Sequence, residues 1–343
     1  METVFISKLK PLLDAVAEKM SLFVPKKTDT HYDFVKYDST LSEQQLFNNI
    51  RVCTPIKQFL FPMRELAAVF PKPQSAPKPE PFALFGLKDC DLKAIKILDC
   101  VFDEEDFKDP SYIEHRKNMF IITSDCLEPA KSCCCCLFDG RPFPENGFDL
   151  NISKIKDGFI IETGSEKGSQ FINEHKNLFA DVPSAATAER DQNRTKTKDQ
   201  LEQNNADYKL DTPINEIVEN SRESDVFDEE AQNCVECQAC TRVCPTCHCF
   251  FLYDTKFANA FAKTKMWDSC VRRDFAAVAG DENPRKILGD RTKHRLLHKF
   301  VYFLDRYGIQ MCVGCGRCID ACAGEMELRD ILKKLNEELK SKK

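Results

Sequence analysis

Two cysteine runs constrain this chain more than any other feature of its sequence. The first reads Cys234-x2-Cys237-x2-Cys240-x3-Cys244-Pro245 and the second Cys312-x2-Cys315-x2-Cys318-x3-Cys322. Three thiolates at i, i+3 and i+6 curl round three corners of a 4Fe-4S cube, and the fourth leaves in a helical direction toward a neighbouring cube. The doubled pattern therefore predicts two cubes with crossed ligation. Cys234, Cys237 and Cys240 go with Cys322, and Cys312, Cys315 and Cys318 go with Cys244. Zinc also accepts four thiolates, but its sites usually come as two separated pairs rather than a run of four at these spacings. The second run ends Cys322-Ala323 where the first ends Cys-Pro; the proline is a turn aid, not a ligand.

The chain holds nineteen cysteines in 343 residues. An odd number cannot pair off completely into internal disulfides, and no signal peptide opens the sequence, so a reducing, cytoplasmic setting with thiols kept for metal is expected. No apolar run approaches the ~20 residues that span a bilayer, so the protein is expected to be soluble. A formal charge of -6 and a pI near 5.7 offer no general attraction to nucleic acid. Neither a G-x-G-x-x-G turn nor a G-x-x-x-x-G-K-[ST] loop is present. Any nucleotide or flavin is expected on another subunit.

Along the chain, Ile6, Leu9, Leu13, Val16 and Met20 keep a helical period, with Pro11 tolerable in the first turn. Leu22 to Val24 and Tyr32 to Tyr37 read as strands, and Pro71 to Pro81 as an extended, polyproline-like surface loop. Phe82 to Leu87 is a buried-strand run, Asp91 the expected helix N-cap, and Leu92, Ile95 and Leu98 one apolar helix face. Met119 to Ile122 is a second strand. Strand, helix and strand in that order predict a parallel βαβ unit, in which loops after the strand carboxyl ends share the ligand-binding rim.

Both of those loops carry cysteine: Cys90 follows the first strand and Cys126 the second. The run Cys133-Cys134-Cys135-Cys136 comes next, and alternate positions such as Cys133 and Cys135 point the same way in an extended loop. A third cluster held by Cys90, Cys126, Cys133 and Cys135 is expected there. The competing interpretation is buried small hydrophobes or a reactive thiol patch. Gly158 to Glu162 reads as a further strand, followed by a turn at Gly164 to Gly168 and a helix carrying Phe171, Ile172, Leu178 and Phe179.

Ala185 to about Asn205 is polar and nearly free of aliphatic residues, so it reads as a linker or frayed helix. The resulting division is an α/β cysteine-rich domain over 1–183, a polar linker over 184–228 and a mainly helical, ferredoxin-like dicluster domain over 229–343. Leu296, Leu297, Phe300, Val301 and Leu304 keep a helical face, as do Leu328, Ile331, Leu332, Leu335 and Leu339. His294, Arg295, His298 and Lys299 read as a solvated helix face, the other reading being groups that raise a cluster potential or dock an acidic partner. Cys247, Cys249 and Cys270 have no role that the sequence decides.

The segments FGLKDCDLKAI, DCLEPAKSCCCC, CVECQACTRVCPTCHCF, WDSC and CVGCGRC occur in an order that resembles the beta subunit of cytoplasmic sulfhydrogenases and the corresponding iron-sulfur subunit of anaerobic sulfite reductases. The resemblance runs from about Phe82 to the C-terminus. Where that family shows Cys-Phe-Cys, this chain has Cys133-Cys134-Cys135 and then Cys136, which supports Cys133 and Cys135 as ligands. The resemblance implies a non-catalytic electron-transfer subunit of an anaerobic oxidoreductase complex. It would relay electrons between a catalytic subunit of hydrogenase or sulfite/sulfur reductase type and a flavin/NAD(P)H-binding subunit. The rival reading is an enzyme performing thiol or disulfide chemistry at the N-terminal cysteine rim.

Overall fold

Ten strands form in the computed structural model, which describes residues 2–71, 79–257 and 259–342. In chain order they are β1 (Thr3–Ile6), β2 (Ser21–Lys27), β3 (Tyr32–Lys36), β4 (Arg64–Phe70), β5 (Phe82–Leu87), β6 (Met119–Ser124), β7 (Leu150–Ile155), β8 (Gly158–Thr163), β9 (Phe250–Phe257) and β10 (Ala260–Trp267). Seven of them make one mixed sheet in the order β1-β8-β7-β6-β5-β2-β3. The pairs β2/β5, β5/β6 and β6/β7 are parallel, and the flanking pairs are antiparallel. The expected parallel βαβ unit is thus the centre of a sheet with antiparallel edges.

The central strands are continuous apolar runs because both of their faces are covered. Phe82 and Leu84 of β5 pack with Leu92, Ile95 and Leu98 of the helix Asp89–Phe102. Ala83 and Phe85 pack on the other side with Leu12, Leu13 and Val16 of the helix Lys10–Lys19, whose Pro11 lies in the first turn. Asp91 does not cap the helix Asp89–Phe102 as expected. It sits at the third helical position, with Lys88 at the N-cap, and accepts the Lys88 backbone N–H at 3.1 Å.

The stretch expected as a polar linker over 184–228 is folded. Ala186–Asn204 is a 19-residue helix lying against β7 and β8. Ion pairs take the place of an apolar stripe: Arg190 pairs with Glu162 at 2.9 Å, and Arg194 with Glu162 and Asp125, both at 2.7 Å. Hydrophobic periodicity cannot register a helix held in this way. Two short helices, Ile214–Asn220 and Val226–Ala231, complete the connection.

In the C-terminal part the helix Leu288–Leu297 runs through a π turn at His298–Tyr302 into Phe303–Tyr307. Its Leu296, Leu297, Phe300 and Val301 share a core with Leu328, Ile331, Leu332 and Leu335 of the helix Leu328–Ser341. The segment between the cysteine runs is not wholly helical, as the sequence pattern leads one to expect, because β9 and β10 form a hairpin there. Strand β4, from the N-terminal third of the chain, completes a second sheet in the order β4-β10-β9. Trp267 locks the join by donating its indole N–H to the Phe61 carbonyl at 2.8 Å. The two halves therefore interlock rather than follow one another as separate domains. Residues 72–78 of the proline-rich loop lie outside the described residues. Among those described, no helix is long and apolar enough to cross a membrane.

Candidate metal centres

The sheet carries Cys90 into the first turn of the helix after β5 and Cys126 just beyond the carboxyl end of β6. Cys133 and Cys135 reach the same place from the following loop. These four cysteines line one small cavity, together with Arg51, Lys88 and Cys315. Cys134 turns away into the apolar cluster of Phe138, Leu296 and Phe300. Cys136 turns away too, with its thiol 3.8 Å from the Leu201 carbonyl.

Burial pushes the Cys126 thiol up to about 12 and raises Cys90, Cys133 and Cys135 as well. Without metal these thiols are protonated at neutral pH, so binding a metal releases protons. Thiol chemistry would need a depressed value instead. Two buried cations stand at the cavity. Lys88 donates to the Asn48 carbonyl and Ser124 Oγ, both at 2.8 Å, and to the Asp125 carbonyl at 3.0 Å. Arg51 donates to the Cys315 carbonyl, to Ser132 Oγ at 3.1 Å and to Asp320 at 2.6 Å.

A second small cavity is lined by Cys234, Cys237, Cys240 and Cys322 and also touched by Cys318 and Arg295. Cys322 Sγ accepts the Met326 backbone N–H at 3.3 Å. The remaining members of the two runs gather next to it. Burial raises Cys312 to about 11 and Cys318 to about 12, and Cys244 and Cys315 add to both shifts, so these four thiols are neighbours. Cys318 thus lies on the wall between this set and the second cavity.

The two runs adopt the same backbone. Glu236 and Gln238 in the first, and Gly314 and Gly316 in the second, occupy matching places and all have positive φ, at 53°, 63°, 61° and 73°. Short helices then begin at the matching residues Ala239 and Arg317. Glycine is required only in the second run. A Cβ on Gly314 would lie 2.5 Å from the Cys134 carbonyl oxygen, and one on Gly316 would lie 2.3 Å from that of Ser132. The second run is thereby pressed, backbone to backbone, against the loop that bears Cys133 and Cys135.

The basic helix face expected to be solvated is split. Arg295 and Lys299 are buried, at 8% and 3% exposure, because positions i and i+4 share the face turned toward the cysteines. Lys299 Nζ lies 3.4 Å from Cys244 Sγ and 3.2 Å from Thr246 Oγ1. Arg295 lines the second cavity, with its Nε and one terminal nitrogen buried and without a partner among the described residues. Desolvation opposes its charge, but Cys240 and Cys318 outweigh that and hold it well above the ordinary guanidinium value. His294 and His298 stack at 6.1 Å, and His298 meets His248 at 5.6 Å.

Sequence reasoning passed over several groups. Arg317, inside the second run, forms an ion pair with Asp91 at 2.7 Å with both side chains 1% exposed. Lys57 is buried, donates to the Thr241 and Cys247 carbonyls at 2.9 and 2.8 Å, and lies 4.2 Å from the Trp267 ring centre. The one available signal was the charged triplet Lys88, Asp89 and Asp91 set directly after a buried strand. Cys247 is buried beside Cys244, and Cys270 beside Cys249 and Cys240.

These surroundings fit iron-sulfur cubes. The donor sets are all thiol, they ring cavities rather than a point, and buried cations and a backbone N–H face the sulfurs, as an anionic cluster needs. Among the described residues no three His, Cys, Asp or Glu side chains close on a single ion. The family model of a 4Fe-4S dicluster domain matches residues 233–326. Sulfhydrogenase 2 subunit beta of Pyrococcus furiosus is 34% identical over 261 residues, which is 75% of each chain. The chain belongs to the sulfhydrogenase beta-subunit family, as an iron-sulfur electron-transport component of an oxidoreductase complex.

Proposed function

We propose that the chain holds three 4Fe-4S cubes in series and carries electrons between a catalytic redox subunit of hydrogenase or sulfite/sulfur reductase type and a flavin/NAD(P)H-binding subunit. Cys90, Cys126, Cys133 and Cys135 hold the first cube. Cys312, Cys315, Cys318 and Cys244 hold the second, and Cys234, Cys237, Cys240 and Cys322 the third. Each bound cube supplies one-electron uptake and release at a potential set by its surroundings.

The observation that carries this reading is the place of Cys315. It belongs to the second run, yet it lines the N-terminal cavity with all four rim cysteines. Cys318 likewise touches the cavity of the first run. Neighbouring sites share walls, which is what a relay requires of its protein. At one end Cys237 is exposed, with Val235 beside it 63% exposed, so a partner can approach that site directly. The chain itself contributes ligands, buried cations and exclusion of water rather than a substrate-handling group.

The test is electron delivery through the assembled complex. Cys315→Ser and Cys237→Ser should each remove or convert one cube and block transfer from the flavin subunit to the catalytic subunit. Undiminished transfer in both variants contradicts the relay.

A further inference from the structure

Resting on that reading, we propose that Arg295 and Lys299 set the potentials of the two cubes held by the cysteine runs and keep both above that of the N-terminal rim cube, so that electrons collect on the C-terminal pair. A thiolate-ligated cube is one charge more negative when reduced than when oxidised. A fixed cation beside it therefore favours the reduced form, and the effect is larger in a protein interior than in water. What distinguishes the three sites is how far their cations are already neutralised.

At the N-terminal rim the two buried guanidinium groups have acidic companions. Arg51 is paired with Asp320 at 2.6 Å and Arg317 with Asp91 at 2.7 Å. Lys88 spends its three protons on Asn48, Ser124 and the Asp125 carbonyl, and Asp89 lines the cavity as well. Asp89 is itself paired with Lys93 at 3.6 Å, so the two arginine charges here are matched by carboxylates in contact, while Lys88 is met by neutral oxygens.

At the runs the balance is different. Among the described residues neither Arg295 nor Lys299 forms an ion pair with a carboxylate. Lys299 is 3% exposed and touches Cys244 Sγ at 3.4 Å, with Thr246 Oγ1 as its other side-chain partner. Arg295 presents two buried nitrogens with no partner among the described residues and lines the cavity of Cys234, Cys237, Cys240 and Cys322. A buried, unpartnered guanidinium is costly unless an anion completes it. The π turn at His298–Tyr302 follows Arg295 closely and contains Lys299, a kind of helix irregularity frequent at functional sites.

The test is a potentiometric titration of the anaerobically loaded full chain, followed by EPR, with iron analysis of every sample. Arg295→Met should lower one cube signal so that its reduced-to-oxidised ratio at a fixed potential falls at least tenfold, which is ~59 mV for a one-electron couple. Lys299→Met should do the same to a second signal. Arg295→Lys and Lys299→Arg should restore most of each shift. The signal lost on changing the four rim cysteines to Ser should stay lowest and unmoved throughout.

Full iron loading with unshifted titrations in both Met variants overturns the proposal, as does a rim signal that titrates highest. If Arg295→Met is folded by circular dichroism but short of about four irons per chain, with Arg295→Lys restoring them, the charge requirement stands. If Arg295→Met does not fold, Lys299→Met carries the test alone under the same two outcomes. Wild-type protein without iron would refute the cube assignment itself, a result separate from any shift in potential.

Discussion

Cys134 donates its backbone N–H to the carbonyl of Gly314 at 2.8 Å. This bond ties the N-terminal cysteine loop to the second cysteine run and brings Cys315 to the rim cavity. Asn205 adds to the seam by donating to the Cys133 carbonyl at 2.8 Å, and its own oxygen accepts from Arg329 at 2.9 Å.

Gly314→Ala should break that seam. The residue sits at φ 61°, and the new Cβ would meet the Cys134 carbonyl oxygen at 2.5 Å. The left-handed conformation alone costs an L-residue roughly 1–2 kcal/mol, and the backbone clash adds to it. Denaturant unfolding of the apo chain should show the loss, and iron analysis should show poorer loading of the rim and middle sites. Gly280→Ala, at a φ of 85° and with nothing among the described residues within 4 Å of the new Cβ, is the control for conformational strain alone.

Asp91→Ala should be among the most damaging single changes outside the cysteines. It strands Arg317 as a buried, unpaired charge, and breaking such a pair from one side costs about 3–5 kcal/mol. The double variant Asp91→Leu, Arg317→Met should recover part of that loss. Equal stabilities for the single variant and the wild type would show that water reaches the pair.

Acid should destabilise the apo chain through its histidine stack. Burial pushes His294 and His248 down to about 4 and His298 down to about 3. The unfolded chain therefore binds more protons than the folded chain between roughly pH 6.5 and 3, and stability is lost as pH falls through that window. Lys299 and Lys57 face the same group and oppose its protonation. His298→Phe should flatten the acid limb of the stability curve measured by thermal melting, and an unchanged slope would contradict a buried neutral ring.

Much of the fold was legible because the central strands are covered on both faces. Phe82 to Leu87 and Met119 to Ile122 stand out as unbroken apolar runs, and Cys90 and Cys126 follow from strand direction alone. The helix Ala186–Asn204 was not legible, since Arg190 and Arg194 anchor it through Glu162 and Asp125 rather than through an apolar face. The pairing of β4 with β10 joins residues almost 200 positions apart, for which no local pattern exists. Arg295 and Lys299 looked solvated because basic residues on a helix usually are; only the placement of Cys244 and Cys240 beside that helix face reverses the expectation.

The central claim is that twelve cysteines hold three cubes, and counting iron tests it most directly. Anaerobically purified protein should contain about twelve iron atoms and an equal amount of acid-labile sulfide per chain. The variant with Cys90, Cys126, Cys133 and Cys135 all changed to Ser should keep about eight of each. Zinc with negligible iron in the wild type, or an iron content that the quadruple variant leaves unchanged, would contradict it.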